Sequence, residues 1–262
     1  MIFRRVLLTG ASGTIGSCLR PGLRDELEEL RLTDLRAPDP PATAPETFVA
    51  TDLADRDAVF RVVEGVEAVV HLGGVPNEAP FEELVGPNLV GTFNVCDAAR
   101  RAGVRRVVYA SSNRATGFYG VGERLAGGEP PRPDGLYGAT KAFGEALARM
   151  YSDRFGLEAI CVRIGSFWER PAEPRHLHTW LSPGDAVRLF RACLSAPDVG
   201  FLTVYGASAN SQSWWDLGEA ARRLGYEPRD DAERFAAELD DAVPPFRYQG
   251  DPFTARGYGG WT

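Results

Sequence analysis

Apolar positions in the first 166 residues fall into short runs separated by stretches of helical spacing. Phe3 to Thr9 is an apolar, β-branched run that stops at Gly10, and helical spacing follows from about Thr14 to Leu27. Leu30 to Asp34 alternates in polarity and predicts a second strand, whereas Ala37 to Pro45, with four prolines, predicts a loop. Thr47 to Thr51 is a third strand. A helix from Asp55 to Glu64 follows, with Asp52 or Asp55 available as its cap. Glu67 to Leu72 has the apolar character of a strand covered on both faces. Then come a helix over Pro80 to Ala102, a strand over Arg106 to Ser111, and a Gly- and Pro-rich loop over Gly117 to Pro133. A helix over Leu136 to Phe155 and a strand over Glu158 to Ile164 complete the series. Strand and helix repeated in this way predict an α/β chain with a Rossmann-like, doubly wound parallel sheet and right-handed crossovers.

After Ser166 the pattern loosens to a helix at Gly184 to Ser195, a strand at Phe201 to Tyr205 and a helix at Trp214 to Leu224. We expect a single domain over residues 1–262, in which 167–262 contribute a small substrate lobe and a polar tail. The tail from Glu227 to Thr262, with Pro244-Pro245 and Gly259-Gly260-Trp261, is expected to cover the sheet or reach a neighbouring subunit.

Composition adds exclusions. A chain that is 44% hydrophobic and 25% charged folds as an ordinary globular protein. Its net charge of −7 offers no electrostatic footprint for nucleic acid or an anionic membrane surface. The longest apolar runs fall well short of a bilayer span, and Met1 to Gly10 is too short in its apolar part to be a signal peptide. Cys18, Cys96, Cys161 and Cys193 are spaced too far apart for a metal or disulfide framework. These features predict a reduced, cytoplasmic protein with no metal site.

The first candidate chemistry is Thr9-Gly10-Ala11-Ser12-Gly13-Thr14-Ile15-Gly16, set between the first strand and the first helix. Gly10 and Gly13 permit a tight turn close to a pyrophosphate, Gly16 permits close helix–strand packing, and the helix start at Thr14 and Ile15 offers free N–H groups. Alone, such a turn is also an ordinary βα connection. Asp34, at the end of the second strand, adds a carboxylate suited to ribose hydroxyls and hostile to a 2′-phosphate, which favours NAD over NADP; Arg36 pulls slightly the other way. Asp52 and Leu53 end the third strand where an adenine would lie, and Leu72-Gly73-Gly74 end the fourth.

The second is Tyr137-Gly138-Ala139-Thr140-Lys141, whose i, i+4 spacing places a phenol and an amine on one helical face. Lys141 is the only lysine among 29 basic residues. Arginine covers most structural duties of lysine but cannot supply an amine of tunable pKa. A neighbouring ammonium and a positive nicotinamide ring would both favour phenolate, making a general base. Ser111-Ser112-Asn113 ends the fifth strand, where a serine can hold a reacting hydroxyl against the tyrosine.

In this order, the glycine turn, strand-end serine and Tyr-x-x-x-Lys resemble the extended short-chain dehydrogenase/reductase superfamily over residues 5–166. Asn88, in Asn88-Leu89-Val90-Gly91-Thr92, matches that group's mid-helix asparagine. The resemblance implies Tyr137 as base, Lys141 as ribose ligand and modulator of the tyrosine, Ser112 as orienter of the substrate hydroxyl, and Asn88 as part of the cofactor site. A narrower resemblance covers nearly the whole chain. His71-Leu72-Gly73-Gly74, Arg132 to Gly138, Val162 to Ser166, Thr179-Trp180, Gly206 to Asn210 and Trp214-Trp215-Asp216 are similar to bacterial uronate dehydrogenases. That implies an Arg175 that clamps a sugar carboxylate, with Ser112, Asn113, Arg114 and Ser166 around the sugar. The net negative charge makes such a local cation necessary for an anionic sugar, and a guanidinium matches a carboxylate in fork geometry. Two positions depart from the pattern: Arg114 stands where that family usually has histidine, and Pro76 where serine is expected. His176 and His178 read as structural or rim residues.

The expected activity is NAD-dependent oxidation of a hexuronate, glucuronate or galacturonate, to its aldarolactone. A nucleotide-sugar epimerase or dehydratase of the same superfamily is the alternative, though about 95 residues after Ser166 are few for a nucleotide lobe. A cofactor-sensing binding protein is a third reading, which the intact Tyr137 and Lys141 oppose. Similar proteins pair through the two helices matching Pro80–Ala102 and Leu136–Phe155, which implies a homo-oligomer.

Overall fold

The apolar runs become the strands of one parallel sheet. A computed structural model describes residues 2–239 and 245–258. The central strand is β1 (Arg5–Thr9). Strands β2 (Glu29–Asp34) and β3 (Glu46–Ala50) extend the sheet on one side; β4 (Ala68–His71), β5 (Arg106–Ser112) and β6 (Glu158–Ile164) extend it on the other. A short parallel pair, β7 (Ser166–Phe167) and β8 (Trp180–Leu181), stands apart, and β9 (Phe201–Gly206) joins β6 as the seventh strand of the main sheet. The strand order β3-β2-β1-β4-β5-β6-β9 reverses direction of travel between β1 and β4, which opens a crevice at the carboxyl ends.

Pleating divides the core. Val6 and Leu8 of β1 face the cluster containing Leu19 and Leu23 of helix α1 (Thr14–Arg24), while Leu7 faces Val59 and Val62 of α2 (Arg56–Val63). Helix α1 ends before Leu27 because the amides of Glu28 and Glu29 already bond the Arg4 carbonyl, drawing the chain into β2. The stretch expected as one helix from Pro80 to Ala102 is α3 (Phe81–Leu84), a π-helical turn (Val85–Val90) and α4 (Gly91–Arg101). Pro87 lacks the N–H that an α-helix would use there, and the wider turn absorbs it. Helix α5 (Leu136–Phe155) matches the expected bounds and packs beside α4.

Past residue 167 the chain serves two ends. Helix α6 (His176–Thr179) leads into β8, and α7 (Pro183–Ser195) packs beside α1 before β9 enters the sheet. Helix α8 (Gly218–Leu224) starts later than Trp214 because Trp214 and Trp215 run as extended chain against Leu125, with the Trp215 ring stacked 4.6 Å from Tyr205. Residues 245–258 return to the loop after β5: Gln249 N donates to Tyr119 O at 2.9 Å and Gly250 N to Gly117 O at 2.9 Å. Pro244 and Gly259-Gly260-Trp261, singled out in the tail, lie outside the described residues.

Candidate active site

A cleft of about 1400 Å³ runs along the carboxyl ends of the strands. At its β1–β2 end, Gly10 has a φ of +68° and a Cβ on Gly16 would stand 2.2 Å from the Gly10 carbonyl oxygen, so helix α1 presses on the turn as the glycine spacing predicts. Gly13 precedes α1 with no side-chain cap, leaving first-turn N–H groups available to an anion. Asp34 accepts from Ser12 N at 3.0 Å and Leu35 N at 2.7 Å, which fixes its carboxylate at the edge of the cleft. Thr14, Ile15, Asp52, Leu53, Leu72, Gly73 and Gly74 complete this wall. An uncapped helix start, a turn with no room for side chains and a held carboxylate fit a dinucleotide.

Asn88 does not face the cleft. Its amide grips the next turn from behind, accepting from Val75 N at 2.7 Å and donating to Val75 O at 3.1 Å and to Thr140 Oγ1 at 3.0 Å. The sequence pattern found a residue that shapes the wall rather than one that lines it. His71 plays a similar part: its ring spans Thr9 Oγ1 at 2.8 Å and Thr92 Oγ1 at 3.2 Å, and Thr9 Oγ1 in turn accepts from Gly73 N at 3.0 Å. Burial holds the imidazole neutral, its pKa pushed down to about 3, with the Lys141 charge adding to the effect.

Over β5 the cleft brings together Ser112, Tyr137 and Lys141. Lys141 Nζ donates to Ala110 O at 2.9 Å and lies 5.6 Å from the Tyr137 ring centre. Ser112 Oγ accepts from Arg114 N at 3.2 Å, which turns the hydroxyl proton toward other acceptors. Burial dominates the phenol and pushes its pKa up to about 12; the Ser112 hydroxyl and the Arg114 charge pull it down, and Asp134 raises it. Burial also pushes the Lys141 ammonium down to about 8. The expected acidification of the phenol by the ammonium is therefore not what these side chains achieve by themselves: desolvation outweighs it.

Beyond β6, Arg175 is 3% exposed and lines the cleft. Nε and Nη2 donate to Gln249 O at 3.1 and 2.9 Å, and Nη1 donates to Ser166 Oγ at 3.0 Å. Among the described residues no carboxylate pairs with it, and burial pushes its pKa down to about 10. Asn113 Nδ2 is buried without a partner. Glu173, Asp134 and Asp251 act on this guanidinium through space without pairing with it, and the unpaired Asn113 amide lines the same cleft, an arrangement that suits a polar anion.

Arg114 is placed otherwise than the sequence suggested. It lines the cleft, but its side chain is taken up by Asp134 and Glu78, and Phe253 covers its face at 4.1 Å. Pro76 sits exposed at the rim. His176 is buried beside Ala172 and Glu173, and His178 stacks on Trp214 at 4.3 Å. Sequence reasoning did not find Glu78, Gln249 or Phe253 as parts of the site. Each reaches it across a long sequence separation, and no local spacing signals that.

The profile of the NAD dependent epimerase/dehydratase family matches residues 6–178. The chain belongs to that family. Within the family it is similar to the uronate dehydrogenase of Pseudomonas syringae pv. tomato, 46% identical over 261 residues, covering 97% of this chain and 94% of that protein. Among solved structures, the glucuronic acid dehydrogenase from Chromohalobacter salexigens matches with a TM-score of 0.92 at 40% identity, over 98% of this chain and 99% of that one. A tyrosine-to-alanine mutant of uronate dehydrogenase from Agrobacterium tumefaciens, complexed with NAD, matches with a TM-score of 0.90 at 44% identity, over 96% and 97%. The family match runs from β1 through Tyr137, Lys141 and Arg175 and stops short of β9; the relatives extend the similarity over nearly the whole chain.

Proposed function

We propose that this chain oxidises a hexuronate, glucuronate or galacturonate, at C1 to the aldarolactone, with NAD as the hydride acceptor. The observation that carries it is Arg175, a buried cation without a carboxylate partner among the described residues, opening on the same cleft as Tyr137 and the glycine turn. In this reading Arg175 binds the sugar carboxylate, with Ser166 and Asn113 alongside. Ser112 donates to the C1 oxygen, Tyr137 takes its proton, and Lys141 offsets the resulting phenolate charge. Gly10, Gly13, Thr14, Ile15, Gly16, Asp34, Asp52, Leu53, Leu72, Gly73, Gly74 and Lys141 would hold NAD. Bound there, NAD supplies the acceptor carbon for the hydride and a positive ring beside the phenol, the charge that counters the desolvation of Tyr137.

The test is direct: protein, NAD and each uronate are mixed and NADH absorbance is followed. Turnover with at least one of the two sugars is expected, and none with either would remove the reading. Tight binding of a UDP-sugar would favour an epimerase or dehydratase instead.

We also assign the chain to the cytoplasm as a homo-oligomer with neither nucleic acid nor membrane partners. Four free cysteines, the negative net charge and the absence, among the described residues, of any helix long and apolar enough to cross a membrane support this. Phe93 of α4 and Phe143 and Met150 of α5 are exposed, as pairing helices require. Sedimentation of the purified protein as a monomer would overturn the oligomer.

A further inference from the structure

The Arg114 guanidinium is held by two carboxylates of the protein. Nε pairs with Asp134 Oδ1 and Nη2 donates to Glu78 Oε2 at 3.0 Å. The side chains are sealed from solvent, with exposures of 6% for Arg114, 5% for Glu78 and 0% for Asp134. The Tyr137 ring centre lies 5.8 Å from the guanidinium carbon.

Helix α5 begins at Gly135-Leu136 with no side-chain cap of its own. Glu78 supplies one from a distant loop: Oε1 accepts from Leu136 N at 2.8 Å and from Tyr137 N at 3.4 Å. A carboxylate there satisfies first-turn N–H groups and meets the positive end of the helix. Gly135 makes room, since a Cβ on it would stand 2.3 Å from Glu78 Oε2. The backbone repeats the connection, with Asp134 N donating to Arg114 O at 3.2 Å and Arg114 N to Ser112 Oγ at 3.2 Å. One residue thus touches the serine directly and holds the tyrosine's helix start through Glu78.

We propose that Arg114, braced by Glu78 and Asp134, is a positioning residue for the tyrosine: it fixes the first turn of α5 against Ser112 and sets a positive charge beside the phenol that favours phenolate. This rests on Tyr137 being the general base. The groups facing the phenol are Lys141 from its own helix, Ser112, Tyr109 and Arg114 from β5 and its end, Asp134 from the segment before α5, and Glu78 from the loop after β4. Of these, Arg114 favours the ionised form, while Asp134 opposes it. Without Arg114, Asp134 and Glu78 would lose the guanidinium that pairs with both.

The experiment is the pH dependence of kcat and kcat/KM with the uronate that turns over. For Arg114→Gln, the half-maximum of kcat/KM moves up by about one unit, a loss of about tenfold on the acid limb, with KM for NAD unchanged. Arg114→Lys keeps the charge but not the fork, so the midpoint returns toward wild type while kcat stays several-fold low. Should Arg114→Gln fail to accumulate, Arg114→Gln combined with Asp134→Asn removes the added carboxylate and carries the test; its midpoint still lies above wild type. An unmoved midpoint, with only the sugar KM raised, would make Arg114 a sugar contact and overturn the proposal. An unmoved midpoint with only a lower Tm would reduce it to a structural brace. Full activity of Tyr137→Phe would instead remove the base on which the proposal rests, and the proposal with it.

Discussion

The two ends of the cleft are built by different means. Around Gly10 and Asp34 the surface is backbone and strand ends that the parallel sheet brings side by side. Around Arg175 it is side chains reaching across the chain: Arg175 to Gln249, 74 residues apart, and Arg114 to Glu78, 36 apart. The first end needs only the sheet's crossover to exist. The second exists only when residues 245–258 have docked. The wall at the first end is thus a property of the fold, whereas the wall at the second is a property of this chain's tertiary contacts.

The sharpest way to probe that contrast is where the two ends meet. Tyr137→Phe should lower kcat by about 10²- to 10⁴-fold while leaving NAD affinity in place, checked by steady-state NADH formation and by titration of NAD binding. Arg175→Met comes next: the uronate KM should rise about 30-fold or more, with the NAD KM unaltered. An equal change in both constants would break the division between ends. Asp34→Ala should act in the opposite sense, weakening NAD about tenfold with the sugar KM constant, and NADP use should rise because Arg36 remains. Calorimetric titration with both dinucleotides checks this.

The last expectation concerns stability. His71 keeps its neutral ring with a pKa of about 3, against 6.5 in an unfolded chain. Between these values the unfolded state binds the additional proton, so its burial costs nothing above about pH 6.5. Stability falls by about 1.4 kcal/mol per unit as pH drops from there toward 3. Denaturant midpoints against pH should show this slope in the wild type and less of it in His71→Asn.

The same contrast sets what could be read in advance. The bounds of α5 and β6 and the residues at the strand ends follow from periodicity and turn chemistry, because the forces there act over a few residues. The π-helical turn was not legible as such, although Pro87 marks its place. Asn88 was found by its motif, but spacing does not tell which way an amide faces, and its hold on the Val75 turn is seen only in the fold. Gln249, Glu78 and Phe253 left no trace in local sequence. Gln249 holds Arg175 through its carbonyl oxygen, a group every residue carries, so only the docking of the tail reveals it. The burial that raises the phenol's pKa is hidden for a related reason: adjacency of charge can be read from an i, i+4 spacing, but depth of burial cannot.

The solitary lysine has a practical corollary. Apart from the chain's α-amine, acylating or reductively alkylating reagents find a single primary amine among the side chains of all 262 residues, and burial lowers its pKa to about 8. Mass increments on the peptide that contains Lys141 therefore footprint one atom in the cleft, and protection by added coenzyme would chart occupancy without altering a residue.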